Sequence, residues 1–308
     1  MPPSNDKTIS LVLGSGGARG LAHIGVIHWL EENGYRIGAI SGCSMGALVG
    51  GIYAAGKLDD YEQWVRAITK RDIVALLDIA WHKSGLVKGD KIINTLVDLV
   101  GETAIEDLSI PYTAVTTDLR NEKEVWIQSG PLFDAIRASI SLPLFFTPFQ
   151  CKSTDFIDGG IVNPVPIAPT FGDETDMTIA VNICATGRGS APPLDLPTPP
   201  REEPGLREKI TRFIKGNQAD DAASTSRKDN WDAYNIINRA FDIMQGAIAR
   251  QKLAAYPPDI TIEIDRQAGG LLEFDRAAEL IDLGYRQARE SLGESSRTQA
   301  AELEDPEA

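Results

Sequence analysis

Two strand–glycine–helix units follow one another between Ile9 and Tyr53, and this limits the chain to a small set of folds. Ile9 to Leu13 is a β-branched, apolar run that stops at Gly14. Leu21, Ile24, Ile27 and Leu30 then recur at helical spacing. The second unit runs from Ile37 to Ile40 into Gly42-Cys43-Ser44-Met45-Gly46, after which Met45, Leu48, Val49, Ile52 and Tyr53 form another helical stripe. Successive units of this kind predict neighbouring parallel strands joined by right-handed crossovers.

Further strands are expected at Pro111 to Thr117, paired across a polar turn with Glu124 to Gln128, and at Asp155 to Ile157, Met177 to Ile183 and Asp259 to Ile264. Helices are expected around Tyr61 to Ile68, Ile92 to Val100, Asp232 to Ala254 and Phe274 to Arg289. The fold class is therefore α/β, one layered domain over 9–290 with a mostly parallel central sheet and helices on both faces. Residues 1–8 are expected to be a disordered N-terminus. The stretch 186–228, dense in Pro, Gly, Ser and charge, reads as a mobile insertion in which 206–214 forms a short helix, and 291–308 as a disordered acidic tail.

Gly42-Cys43-Ser44-Met45-Gly46 fits G-x-S-x-G between a strand and a helix, a context that puts a serine hydroxyl on a tight, exposed turn. Gly42 and Gly46 avoid collisions with the flanking elements, and the helix N-terminus favours negative charge developing near Ser44. A serine nucleophile needs a base. The only histidines are His23, His28 and His82, all early in the chain and all in helix-surface or packing contexts, so the base is expected not to be histidine. Asp158 is the alternative: it follows the apolar Phe156-Ile157, precedes Gly159-Gly160, and sits at the carboxyl end of a buried strand, where ligands bind in open α/β sheets. Burial would raise its pKa into a useful range.

The loop Gly14 to Gly20 lacks the final glycine of a dinucleotide fingerprint, the ribose-binding acid and the Gly-Lys-Ser/Thr of a P-loop. It remains a loop whose N–H groups, from Gly16, Gly17 and Ala18, can hold an oxyanion beside Ser44.

Taken together, Gly14 to Gly20, the elbow at 42–46 and Asp158-Gly159-Gly160 resemble the patatin-like phospholipases, serine acyl hydrolases with a Ser–Asp dyad. Arg137-Ala138-Ser139-Ile140-Ser141-Leu142-Pro143, Phe146-Thr147-Pro148 and Val162-Asn163-Pro164-Val165-Pro166 extend the resemblance. The Gly-Cys-Ser elbow and the Trp81 to Leu86 segment resemble the bacterial RssA type within that family. The resemblance implies Ser44 as nucleophile, Asp158 as base, Gly16 and Gly17 as oxyanion donors, and Arg19 as loop support or head-group contact. Ser15 stands where many members have glycine, and Cys43 where many have threonine.

Charge and cysteine usage narrow the partners. Lys and Arg total 30 against 44 Asp and Glu, a net charge of −14, the wrong sign for nucleic acid or a strongly anionic bilayer. Cys43, Cys151 and Cys184 are spread without metal-ligand spacing, so no metal, cofactor or disulfide framework is expected. No apolar run approaches the ~20 residues of a membrane span, and the N-terminus lacks a secretory pattern, so a cytoplasmic location is expected. The expected function is hydrolysis of lipid carboxylic esters, with Leu142 to Phe149 and Ile73 to Trp81 as candidate acyl-groove segments. The alternative is a scaffold or regulatory protein of this fold with little turnover.

Overall fold

The computed structural model describes residues 7–76, 87–186 and 233–304. The chain divides into a unit of 1–187 with 239–308 and a unit of 188–238, of which only 233–238 fall among the described residues. Among the described residues eight strands form one sheet: β1 (Thr8–Leu13), β2 (Arg36–Cys43), β3 (Tyr112–Asp118), β4 (Lys123–Ile127), β5 (Phe149–Cys151), β6 (Thr154–Asp158), β7 (Met177–Ala185) and β8 (Ile260–Asp265). The helices are α1 (Ala22–Glu32), α2 (Met45–Ala54), α3 (Leu58–Ala67), α4 (Lys70–Leu76), α5 (Asp90–Val100), α6 (Leu132–Ser139), α7 (Ala233–Ala255) and α8 (Ala277–Glu304).

Five strands run parallel in the order β3-β2-β1-β7-β8, as the two opening units imply. Their residues alternate across the sheet. Leu11, Leu13, Val181 and Ile183 enter the large core with α1, α2 and α8, while Val12, Ala180 and Cys184 join Ala249 of α7 on the opposite face. Helices α1 and α8 approach very closely: a Cβ on Gly25 would lie 1.9 Å from the Ile281 carbonyl oxygen, and one on Gly284 1.9 Å from that of Ala22.

The sheet changes character at β3. One edge of β3 pairs antiparallel with β4 over Ala114 to Asp118. On its other edge β2 pairs only as far as Val115, opposite Cys43, and the antiparallel β6 takes over at Thr116, opposite Asp158. Strands β2 and β6 thus share one edge of β3, tip to tip. This corrects the expectation for Asp158: it does end a strand, but one that runs against the parallel set, so the rule for carboxyl ends of parallel strands is not what places it.

Two boundaries also shift. Lys7 accepts from the Arg36 N–H and Thr8 donates to Asp176, so the expected disorder of 1–8 does not extend to these residues. The tail expected to be disordered from 291 continues as helix α8 to Glu304, through a stretch after Gly293 free of glycine and proline. Apart from Thr186, the expected insertion 186–228 lies outside the described residues, as do 1–6, His82, Trp81 to Leu86 and 305–308. Among the described residues no helix is long and apolar enough to cross a membrane.

Candidate active site

Ser44 sits between the last residue of β2 and the first of α2, with φ 55° and ψ −122°, a left-handed backbone that a non-glycine residue adopts only where its surroundings impose it. Its N–H donates to Ser139 Oγ at 2.9 Å, and Ser139 in turn donates to the Val115 carbonyl at 2.6 Å. The glycines on either side leave no room for a side chain: a Cβ on Gly42 would lie 2.5 Å from the Gly46 oxygen, and one on Gly46 2.0 Å from the Leu13 oxygen. Gly46→Ala is therefore expected to cost ~3 kcal/mol or more and lower the melting temperature by roughly 10 °C. An unaltered melting curve would show that this approach of α2 to β1 is not needed.

At the tip of β6, Asp158 is fully buried. Ser44 Oγ donates to its Oδ2 at 2.6 Å, and the Gly160 N–H donates to its Oδ1 at 2.7 Å. Its own N–H donates to the Ser141 carbonyl at 2.9 Å. Burial raises the Asp158 pKa to about 6, against the smaller opposing effect of the bonds from Ser44 and Gly160. Gly159 packs where a Cβ would be 2.3 Å from the Val115 oxygen. The segment 137–143, noted in the sequence only for its family likeness, therefore has a physical role in the site, in which Ser139 fixes the serine backbone and Ser141 the aspartate backbone.

The Gly14 loop lies beside this pair, and Ser15, Gly16, Gly17 and Ser44 line one cleft. Gly16 and Gly17 N–H groups donate to no backbone carbonyl among the described residues, and Gly17 takes φ 59° to turn the loop. Ala18 differs from expectation: its N–H donates to the Leu271 carbonyl at 2.9 Å, so it is not free to meet an oxyanion. Arg19 is buried and turned inward, with Nε donating to the Gly16 carbonyl at 2.9 Å, one terminal nitrogen to the Arg266 carbonyl at 2.9 Å and the other 3.1 Å from Asp242. Every nitrogen of this guanidinium has a protein partner.

His23 is buried with Nε2 bonded to the Gly14 carbonyl at 2.9 Å, and burial lowers its pKa to about 4, leaving it neutral. His28 pairs with Glu62 at 2.5 Å. Neither bonds Ser44. Cys43 lies 3.9 Å from Asp158 Oδ1, its thiol pKa pushed up by burial. No cluster of His, Cys, Asp and Glu suited to a metal occurs among the described residues.

From Ser44 the cleft continues into an apolar channel between Leu48, Trp64, Leu96, Leu142 and Phe146. Both expected groove segments contribute, Leu142 and Phe145 from one, Ile73 and Leu76 from the other; 77–81 lie outside the described residues. Sequence reading missed Gln245 and Asp242 on α7. Gln245 is buried and donates to Ser15 Oγ at 3.0 Å and to the Gly160 carbonyl at 3.2 Å. Phe241, Met244 and Ile248 recur at helical spacing along this helix, but its buried positions are Gln245, Gly246 and Ala249.

Fold and site together define an α/β protein with a serine and an aspartate hydrogen-bonded where two strand tips meet, at the head of an apolar cleft. The patatin-like phospholipase family model matches residues 11–171. An NTE family protein of Mycobacterium tuberculosis is 38% identical over 355 aligned residues, covering 99% of this chain and 95% of the relative. A patatin-like phospholipase domain-containing protein of Caenorhabditis elegans is 39% identical over 168 residues, 52% of this chain but 12% of that protein. Neuropathy target esterase sws of Drosophila willistoni is 35% identical over 168 residues, again 52% of this chain and 11% of that protein. Among solved structures, VipD from Legionella pneumophila aligns with a TM-score of 0.46 and 14% identity, over 95% of this chain and 67% of that one. The family model and the full-length mycobacterial relative place the chain plainly: it belongs to the patatin-like phospholipase family.

Proposed function

We propose that this protein is a serine acyl hydrolase that cleaves carboxylic esters of lipids, phospholipid or lysophospholipid, through Ser44 and Asp158. The observation that carries the reading is the 2.6 Å bond from Ser44 Oγ to a fully buried Asp158 at the head of an apolar cleft. Family membership supports the same chemistry, and the words esterase and phospholipase in the names of its relatives agree with it.

In the proposed reaction Ser44 Oγ attacks the ester carbonyl while its proton passes to Asp158 Oδ2. The base must be ionised to accept it, which a pKa of about 6 permits at neutral pH. Charge then develops on the carbonyl oxygen, where the free N–H groups of Gly16 and Gly17 serve as donors. Arg19 supports that loop by donating to the Gly16 carbonyl. The protonated Asp158 returns its proton to the departing alcohol oxygen, leaving an acyl-enzyme on Ser44. Water, deprotonated by Asp158, releases the fatty acid and restores the serine. No step calls for a metal or cofactor. The apolar walls accept an acyl chain by the same transfer from water that builds a core.

A panel of acyl esters and lysophospholipids, run with a fluorophosphonate probe, tests the reading; wild-type protein with no turnover and no labelling would refute it. The cleft makes a finer expectation. Leu48 lies one helical turn beyond Ser44, to whose carbonyl its N–H donates at 3.1 Å, and lines the channel. Leu48→Trp is expected to lower kcat/KM for dodecanoyl esters about 10-fold relative to butyryl esters. Equal losses on both chain lengths would place the acyl chain elsewhere.

A further inference from the structure

We propose that Gln245 is a positioning residue that locks the oxyanion loop to the aspartate turn, so that both halves of the site are held by one side-chain amide. The proposal rests on the hydrolase reading above. A single nitrogen, Gln245 Nε2, donates to Ser15 Oγ on the loop and to the Gly160 carbonyl on the turn, at 3.0 and 3.2 Å. Ser15 immediately precedes Gly16. The N–H of Gly160 is the group that holds Asp158 Oδ1.

Space at this junction is fully used. A Cβ on Gly160 would lie 2.4 Å from Gln245 Nε2 and 2.5 Å from Ser15 Oγ, so the amide enters only because that residue is glycine. Three residues earlier on the same helix face, Asp242 takes Arg19, whose Nε holds the Gly16 carbonyl. Helix α7 therefore grips the loop at two points and the turn at one.

Burial energetics alone would not orient α7 this way. Ile243 and Met244 stay 52% and 54% exposed while Gln245 is 2% exposed. Burying an amide in place of large apolar side chains is unfavourable unless its bonds are satisfied; here both acceptors of Nε2 belong to the site, and Oε1 faces Cys184 Sγ at 3.9 Å. The helix lies beyond residues 11–171 matched by the family model, in the C-terminal third of the chain.

Two effects follow, one on each arm. Through Ser15 the amide fixes where the Gly16 and Gly17 N–H groups point. Through Gly160 it fixes the N–H that stabilises ionised Asp158. Loss of the second arm disfavours the carboxylate, whereas general loosening slows turnover at every pH alike.

The test compares Gln245→Met, which keeps length and removes the donor, with Ser15→Ala, which removes only the loop arm, in the full chain. Expected for Gln245→Met is a folded protein by circular dichroism, kcat lower by about 10- to 100-fold, and an acid limb of kcat/KM moved to higher pH. Ser15→Ala is expected to slow turnover severalfold with the acid limb in place. Should Gln245→Met fail to fold, Gln245→Asn, whose amide falls short of both partners, carries the same readouts. An active wild type beside Gln245→Met or Gln245→Asn with kcat within twofold and an unmoved limb would overturn this assignment alone. Equal limb shifts in Ser15→Ala and the Gln245 variant would overturn the two-arm division. Wild-type protein with no ester hydrolysis and no probe on Ser44 would sink the hydrolase reading and this one with it.

Discussion

Asp158→Asn is expected to yield a protein that hydrolyses nothing and melts higher than wild type at pH 8. The carboxyl group is fully buried and its pKa is raised to about 6, mainly by burial, against ~3.9 for an unfolded aspartate. Between about pH 4 and pH 6 the folded protein binds more protons at this position than the unfolded chain, so stability falls as pH rises through that window and levels above it. Ionised Asp158 then costs on the order of 2–3 kcal/mol. Asparagine carries no charge and keeps the contacts: its Oδ1 accepts from Gly160, and its Nδ2 donates to Ser44 Oγ. The gain in melting temperature should be several degrees at pH 8 and shrink towards zero near pH 4. Catalysis should drop at least ~10⁴-fold, because an amide cannot take the serine proton. In wild type the same ionisation should make kcat/KM fall below about pH 6. Thermal melts at the two pH values and ester turnover check all of this. A variant that keeps a tenth of wild-type activity would remove Asp158 as the base, and one that melts lower at pH 8 would mean burial is not the dominant influence on it.

This opposition between stability and turnover arises in the topology. Strand β2 brings Ser44 up one edge of β3, and β6 brings Asp158 down the same edge to meet it, so the carboxylate is enclosed because it ends a strand inside the sheet. Its raised pKa and its contact with the serine have one cause. A carboxylate on a surface loop would be better solvated, and its pKa too low for a base at neutral pH.

What could be read from the sequence, and what could not, follows the same line. The elbow was legible because steric demands at Gly42 and Gly46 restrict residue type locally, and Asp158 because an apolar strand and two glycines frame it. The direction of β6 was not: a strand of five residues carries no mark of which way it runs, and only its partner β3 decides that. The amide of Ala18 was read as free because its acceptor, Leu271, lies far along the chain and no local pattern joins the two. Gln245 was passed over since one polar residue on an amphipathic helix ordinarily faces water. The acidic composition after Leu292 was taken for disorder, although the alanine, glutamate and glutamine of that stretch are good helix formers.

Ser44→Ala is expected to abolish fluorophosphonate labelling and to lower ester turnover by about 10⁴- to 10⁶-fold. The backbone turn should survive, since its supports do not involve the hydroxyl: the Ser44 N–H donates to Ser139, its carbonyl accepts from Leu48, and the glycines at 42 and 46 remain. Loss of activity in this variant is therefore loss of the nucleophile rather than of the fold. Its effect on stability should oppose that of Asp158→Asn. Removing Oγ takes away a hydrogen bond that stabilises the buried carboxylate, which raises the Asp158 pKa further and costs on the order of 1–3 kcal/mol at pH 8. At pH 5 the carboxylate is mostly protonated and the penalty should shrink. Combining both substitutions should restore part of the lost stability, because the neutral bond from an asparagine amide to the serine is worth less than the charge-assisted bond to the buried carboxylate; the double variant should depart from additivity by ~1 kcal/mol. Labelling that persists in Ser44→Ala would assign the nucleophile to another residue. Additive melting shifts in the double variant would mean that the 2.6 Å contact carries no coupling, and with it would go the account of how the serine loses its proton.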